Sequence, residues 1–238
     1  MQKRVLSLKK FLSLAKFVTK SSFLITRKFP INFILGNESA DPDSIFGAIS
    51  LAYLLFTDQN TAFPHRKSDF KGYLTGFRNK MHIPMVGIEQ KCLGFRFECT
   101  WLMKEYGVDP GSLVMMDKID LKGVLKKGQA EVTLYDHNIP SPSQNFLKPY
   151  ITNILDHHVD KTRFYYPKNQ KINKQIELTG SASTLLINRF LPQIFKGDLH
   201  PDENILHLIR AVLIFDTFDF YSKLKGKRWI GIDLKTHN

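Results

Sequence analysis

The chain holds only two cysteines, Cys92 and Cys99, in 238 residues. Two thiols cannot build a disulfide framework, which excludes a small stapled secreted fold and favours a reducing compartment. The plain role for both is a small buried or half-buried side chain. No apolar run approaches the roughly 18 residues that a membrane-crossing helix needs, so a soluble protein without integral membrane association is expected. Internal repeats and low-complexity tracts are missing. Acidic residues are missing from residues 1–37, a stretch that carries eight Lys or Arg.

That last absence accounts for most of the net charge of +12, because the remainder of the chain carries only +4 (12 − 8). A basic surface steers polyanions, whether polyphosphate, nucleic acid or an anionic membrane, and charge alone does not choose among them. Within residues 1–30, Val5, Leu6, Leu8, Phe11, Leu12, Leu14, Ala15, Phe17 and Val18 recur at near-helical spacing, with Lys9, Lys10 and Lys16 between them. The pattern predicts a basic amphipathic helix. A helix packed on the domain is the commonest use of such a pattern. A mitochondrial presequence and a membrane-surface helix are the alternatives. The expected location is therefore the cytoplasm, with the mitochondrion as the second reading.

A hydrophobic content of 43% is ordinary for a globular chain. Its short apolar runs alternate with helical spacings. Ile31 to Gly36, His82 to Ile88, Leu113 to Met116, Val132 to Tyr135 and Ile151 to Leu155 read as buried strands. Asp43 to Phe56, Glu98 to Tyr106, Leu121 to Lys126, Ser181 to Phe195 and Glu203 to Phe215 read as helices. Thr57 to Lys80 looks like an irregular insertion. The expected fold is α/β, a doubly wound and largely parallel sheet flanked by helices.

In that reading the carboxylates collect at strand ends. Asp41 and Asp43 follow the first strand, Asp136 ends the strand at Tyr135, and Asp156-His157-His158 ends the strand at Leu155. Ligands of doubly wound sheets bind outside the carboxyl ends of the strands, so these residues are expected to converge. Carboxylate oxygens suit hard divalent cations, and imidazole widens the choice toward Mn²⁺. Two such cations can neutralise a phosphoryl group during in-line displacement. Taken singly, Asp41 and Asp43 read equally well as turn and helix-capping residues, and Asp136 as an ordinary strand exit. Two adjacent histidines beside an aspartate at a buried strand end are harder to explain without a partner, because unpaired burial is costly.

The residues at these positions resemble the DHH phosphoesterase superfamily, and within it the yeast-type eukaryotic exopolyphosphatases. The matching segments are Gly-Asn-Glu-Ser-Ala-Asp-Pro-Asp-Ser (36–44), Tyr-Asp-His-Asn (135–138), Leu-Asp-His-His-Val-Asp (155–160), Thr-Gly-Ser-Ala-Ser-Thr-Leu (179–185) and Leu-Ile-Phe-Asp-Thr (213–217). The resemblance implies a DHH domain over residues 31–220. It implies two divalent cations, Mg²⁺ or Mn²⁺, ligated at Asn37, Asp41, Asp43, Asp136, His157 and Asp216. Asp156 is then the support that orients the histidines, and His158 the general acid toward the leaving group. Gly180 and Ser181 are expected to bind phosphate through free backbone N–H groups at a helix start, although helix capping explains Ser181 as well. Arg96 matches a basic family position, for substrate contact or a structural ion pair. Family II pyrophosphatases carry histidine at the position of Asn37, so its amide implies a preference for Mg²⁺. Prune-type proteins usually lack the second histidine of Asp-His-His, and its presence here favours exopolyphosphatase.

The implied activity is release of terminal phosphate from inorganic polyphosphate. Inorganic pyrophosphatase and a non-catalytic prune-like binding protein are the alternatives, and no nucleic acid is expected as partner. Relatives continue past the last motif into a second domain that clamps the phosphate chain. Residues 221–238 are expected to lead toward such a linker, and loss of the clamp is expected to impair turnover.

Overall fold

The structure is a computed structural model and describes residues 5–20, 24, 29–60 and 70–238. Five strands form its core: β1 (Ile31–Gly36), β2 (Met81–Met85), β3 (Ala130–Tyr135), β4 (Ile151–Asp156) and β5 (Asn173–Ile176). They lie in the order β2-β1-β3-β4-β5, and all four pairings are parallel. Every residue of β1 and β2 is buried, as expected for a parallel sheet covered on both faces. The order reverses beside β1, between β2 and β3, which makes the carboxyl ends of β1 and β3 the switch point where doubly wound sheets bind ligands.

The helices follow their apolar spacing. α1 (Leu8–Val18) buries Leu8, Phe11, Leu12, Leu14, Ala15 and Val18. It packs on α2 (Ala48–Gln59), where the Phe11 ring lies 5.6 Å from Tyr53 and 5.5 Å from Phe56. The Tyr53 hydroxyl donates to the Leu6 carbonyl, and the Leu8 N–H donates to Asp202 at 3.0 Å. The basic amphipathic segment is thus a packed helix in this fold. α3 (Phe70–Gly76), α4 (Phe97–Glu105), α5 (Leu121–Lys126), α6 (Thr162–Tyr165), α7 (Ala182–Phe195), α8 (Glu203–Thr217) and α9 (Gly231–His237) complete the described elements. Among the described residues, no helix is long and apolar enough to cross a membrane.

Some expectations need correction. Leu113 to Met116 is not a sheet strand: Met115 makes one isolated bridge to Val86, and tight turns at Pro110–Ser112 and Met116–Lys118 stop the pairing from extending. The segment expected to be irregular contains the last turn of α2 and all of α3, while residues 61–69 lie outside the described residues. Apart from these corrections, residues 221–238 contain α9, which packs against α7 and α8.

Between β1 and α2 the chain makes a single π turn, Asp43–Gly47. Two glycines allow it. A Cβ on Gly36 would lie 2.2 Å from the Ser44 carbonyl oxygen, and a Cβ on Gly47 would lie 2.2 Å from the Tyr135 ring. The π turn therefore passes directly over the carboxyl ends of β1 and β3, bringing Asp41, Asp43 and Ser44 beside Asp136. Gly47→Ala forces the fully buried Tyr135 ring to move, and overpacking of this kind costs about 1–3 kcal/mol. A lower chemical-denaturation midpoint in the metal-free protein is the expected result.

Candidate metal centre

Asp136 is the hub. It follows the last residue of β3 in a left-handed backbone conformation (φ 64°), which aspartate tolerates better than most residues. Its side chain is buried. Oδ2 accepts hydrogen bonds from the Asn37 amide at 2.6 Å and the Ser44 hydroxyl at 2.7 Å. Oδ1 lies 3.1 Å from His157 Nε2 and 3.8 Å from His158 Nδ1, yet no hydrogen bond of good geometry reaches it from a described residue. Burial pushes the Asp136 carboxyl up to about 7, and the charges of Asp43 and Asp41 add to this; the His157 contact only partly offsets it.

The two histidines are held by different partners. His157 Nδ1 lies 2.8 Å from the Thr179 carbonyl, an acceptor, so Nδ1 carries the proton and Nε2 faces Asp136. Burial opposes its charge, but the close Asp136 carboxylate and the neighbouring charge of Asp43 hold His157 up at about 9. His158 Nδ1 lies 2.8 Å from Asp156 Oδ1, which also accepts the His158 backbone N–H. Asp156 is fully buried and takes a further bond from the Asn138 amide at 2.5 Å. Burial alone would raise its pKa, but the His158 and Asn138 hydrogen bonds prevail and lower it. Asp156 thus supports His158 alone, not both histidines. The His158 ring is half exposed, and its bond to Asp156 raises its pKa.

A second group of carboxylates lies on the other side of the hub. Asp43 accepts four hydrogen bonds: from Tyr135 (3.2 Å), Ser183 (2.7 Å) and Ser181 (2.9 Å) hydroxyls, and from the Ala182 N–H (2.7 Å). Asp216, near the end of α8, is pushed up to about 10, first by burial and then by the charge of the neighbouring Asp43. Its Oδ2 is buried without a hydrogen-bond partner among the described residues. Asp41 accepts from the Ser44 N–H at 2.9 Å and the Ser39 hydroxyl at 2.7 Å. Ser44, which sequence reading passed over, therefore ties Asp41 to Asp136.

The remaining candidates fall differently. Asn37 gives its amide hydrogens to Asp136 and accepts from Ser39 with its oxygen, so it stands as a holder of the hub carboxylate. Gly180 does not offer the free N–H group expected of it. The Gly180 N–H is bound to Asp233, and the Ala182 N–H to Asp43. Arg96 sits half-buried where a tight turn meets α4 and makes no ion pair with a described residue. Thr179, Asn138 and Ser44 lie inside the motif segments, and the fold shows what each one holds: His157, Asp156 and Asp136.

These residues fit divalent cations. Ligand atoms of Asp136, His157 and His158 lie within 4.8 Å of one another. Two buried carboxylates, Asp136 and Asp216, have oxygens that no protein donor satisfies, and both are pushed toward the protonated form. Clustered acids of this kind are relieved by positive charge, and oxygen with imidazole donors suits Mg²⁺ or Mn²⁺.

No protein-family model matches the chain. Human exopolyphosphatase PRUNE1 is 25% identical over 198 residues, covering 82% of this chain and 38% of that protein. The putative exopolyphosphatase of Schizosaccharomyces pombe is 26% identical over 217 residues, covering 87% of this chain and 49% of the relative. The chain thus spans less than half the length of these curated relatives. The crystal structure of a Methanococcus jannaschii putative family II inorganic pyrophosphatase superposes with a TM-score of 0.54 at 17% identity, covering 87% of this chain and 53% of that one. That likeness establishes the fold. Fold and site together define an α/β protein with a carboxylate–histidine centre at its sheet switch point. The chain is similar to proteins named exopolyphosphatase and shares its fold with a family II pyrophosphatase.

Proposed function

We propose that this chain is a phosphoanhydride hydrolase that removes terminal orthophosphate from inorganic polyphosphate with the help of two divalent cations, Mg²⁺ or Mn²⁺. The observation that carries the reading is Asp136, a buried carboxylate with one unsatisfied oxygen between two histidines and within reach of the Asp41–Ser44 turn. Asp41, Asp43, Asp136, His157 and Asp216 are the residues that would hold the cations. Bound there, cations supply charge neutralisation and Lewis acidity toward phosphoryl oxygens. The four donors already on Asp43 mean that it must release one of them to serve as a ligand.

The protein's own groups do the rest. Thr179 fixes the His157 tautomer with Nε2 turned inward. Asp156, itself held by Asn138, fixes the His158 ring by its Nδ1 and raises its pKa, which favours the protonated ring as proton donor to the departing phosphate oxygen. Arg96, a cation without an ion-pair partner among the described residues, is assigned to the phosphate chain. The names of the relatives favour polyphosphate, whereas the fold likeness keeps pyrophosphate as the second substrate. Orthophosphate release from pyrophosphate, tripolyphosphate and long chains, with Mg²⁺ and then Mn²⁺, separates them. The proposal predicts faster release from the polymers, and no release from any phosphoanhydride with either metal overturns it.

The raised carboxyl groups also predict a stability trend. Asp136 and Asp216 have folded pKa values of about 7 and about 10, against 3.8 ordinarily. Between these limits the folded, metal-free protein binds more protons than the unfolded chain, so its stability falls as pH rises. Asp216→Asn removes part of that slope. In thermal scans of metal-free protein, this variant is expected to melt above wild type at about pH 8, and no higher than wild type at about pH 4, where the carboxyl is already neutral. Wild-type stability that rises over this interval would contradict the assignment.

A further inference from the structure

We infer that Asp233, on the C-terminal helix α9, is a positioning residue of the metal centre. It holds the segment 179–183 in the form that presents His157 and Asp43. The inference rests on the metal-centre reading above and extends it to a part of the chain outside the five motif segments.

Asp233 is fully buried. Its carboxylate accepts from the Gly180 N–H with both oxygens at 3.0 Å, from the Thr184 hydroxyl at 2.6 Å and from the Ile230 N–H at 2.7 Å. The Ile230 contact is ordinary capping of α9, a role that an exposed aspartate fills equally well. The other bonds cross 53 and 49 residues of sequence and engage the start of α7. Burying a carboxylate is costly unless donors surround it, so this placement is a demanding way to attach a helix that apolar side chains could anchor.

What Asp233 grips explains the placement. On one side of Gly180, the Thr179 carbonyl receives the His157 Nδ1–H. On the other, Ser181, Ala182 and Ser183 supply three of the four donors to Asp43. Gly180 joins these two holds, and its backbone is pressed against the chain entering α9. A Cβ there would lie 2.5 Å from the Arg228 carbonyl oxygen and 3.1 Å from Asp233 Oδ2. A shift of Gly180 therefore moves the support of a histidine and of a carboxylate together. Asp233 itself touches none of the candidate ligands through a hydrogen bond; it acts through the segment.

The test uses the full chain and two readouts: Mn²⁺ affinity by titration, and the imidazole ¹H–¹⁵N signal of His157 Nδ1–H in metal-free protein. Asp233→Asn is expected to weaken Mn²⁺ binding about 10-fold or more, the usual scale for loss of an outer hydrogen-bond partner, and to shift or broaden the His157 signal. Thr184→Val removes one bond to Asp233 and is expected to give smaller changes in the same direction; it decides the matter if Asp233→Asn does not fold. Leu125→Ala, in the core at α5, lowers stability without touching the segment and should leave both readouts at wild type. A folded Asp233→Asn or Thr184→Val variant with wild-type affinity and an unchanged signal overturns the inference. So does a Leu125→Ala variant that moves both readouts equally. Failure of wild type to bind Mn²⁺ sinks the metal-centre reading instead, and the His157 signal then decides the role of Asp233 alone.

Discussion

Asp136→Asn is expected to abolish metal binding while leaving the protein folded. The substitution keeps the shape of the side chain, and its amide oxygen can still accept from Asn37 and Ser44. It removes the negative charge and replaces Oδ1 or Oδ2 with an N–H₂ group that has no lone pair for a cation. Because Asp136 directly joins the Asp41–Ser44 turn to His157, its loss removes the shortest link between the two halves of the centre. An affinity loss of at least about 100-fold is expected, the upper range for loss of a mere supporting group. Calorimetric titration with Mn²⁺ on wild type and variant measures it. Above about pH 7 the metal-free variant should be no less stable than wild type, because it no longer buries a carboxylate that is charged there. Affinity should also climb with pH in wild type, since cations compete with the protons on Asp136 and Asp216.

His158→Ala is expected to separate binding from turnover. His158 lies at the rim of the centre, half exposed, with its Nδ1 committed to Asp156. Its removal leaves Asp41, Asp43, Asp136, His157 and Asp216 in place, so Mn²⁺ affinity should change little. Hydrolysis should drop by about 10²–10⁴-fold, the usual contribution of a positioned general acid. The pH profile supplies the second signature. In wild type the rate should decline as pH rises through the raised pKa of His158, where the proton is lost, and the variant should lack that basic limb. Asn138→Ala should act in the same direction more weakly, because it frees Asp156 and lowers its hold on the ring. A His158→Ala variant with undiminished turnover would remove the residue from the chemistry.

The parts of this fold that were legible in the sequence are those that local pattern dictates. β1 is an apolar run broken only by Asn32 and closed by a glycine, and α5 begins at a capping aspartate, Asp120, so both were bounded correctly. β5 was invisible because Asn-Lys-Gln-Ile is a polar edge strand with neither alternation nor an apolar run. Leu113 to Met116 misled for the opposite reason: its apolar residues are buried, but turns on both sides leave it one bridge rather than a ladder. The strand-end carboxylates could be foreseen from topology, and Asp216 only from family resemblance. Their partners could not. Thr179 reaches His157 across 22 residues, Asn138 reaches Asp156 across 18, and Asp233 reaches Gly180 across 53. Such bonds depend on how elements meet, and no spacing rule encodes that. The same tertiary bonds explain why the Gly180 N–H is an internal support rather than a free group.

The central proposal is that Asp136 would help to hold two cations in one centre, and an electron paramagnetic resonance titration of the metal-free chain with Mn²⁺ tests it most directly. Two bound ions per chain with the spectrum of an exchange-coupled pair, reduced in Asp136→Asn to unbound Mn²⁺, is the predicted result. Binding of no ion, or of a single uncoupled ion that Asp136→Asn leaves in place, would contradict it.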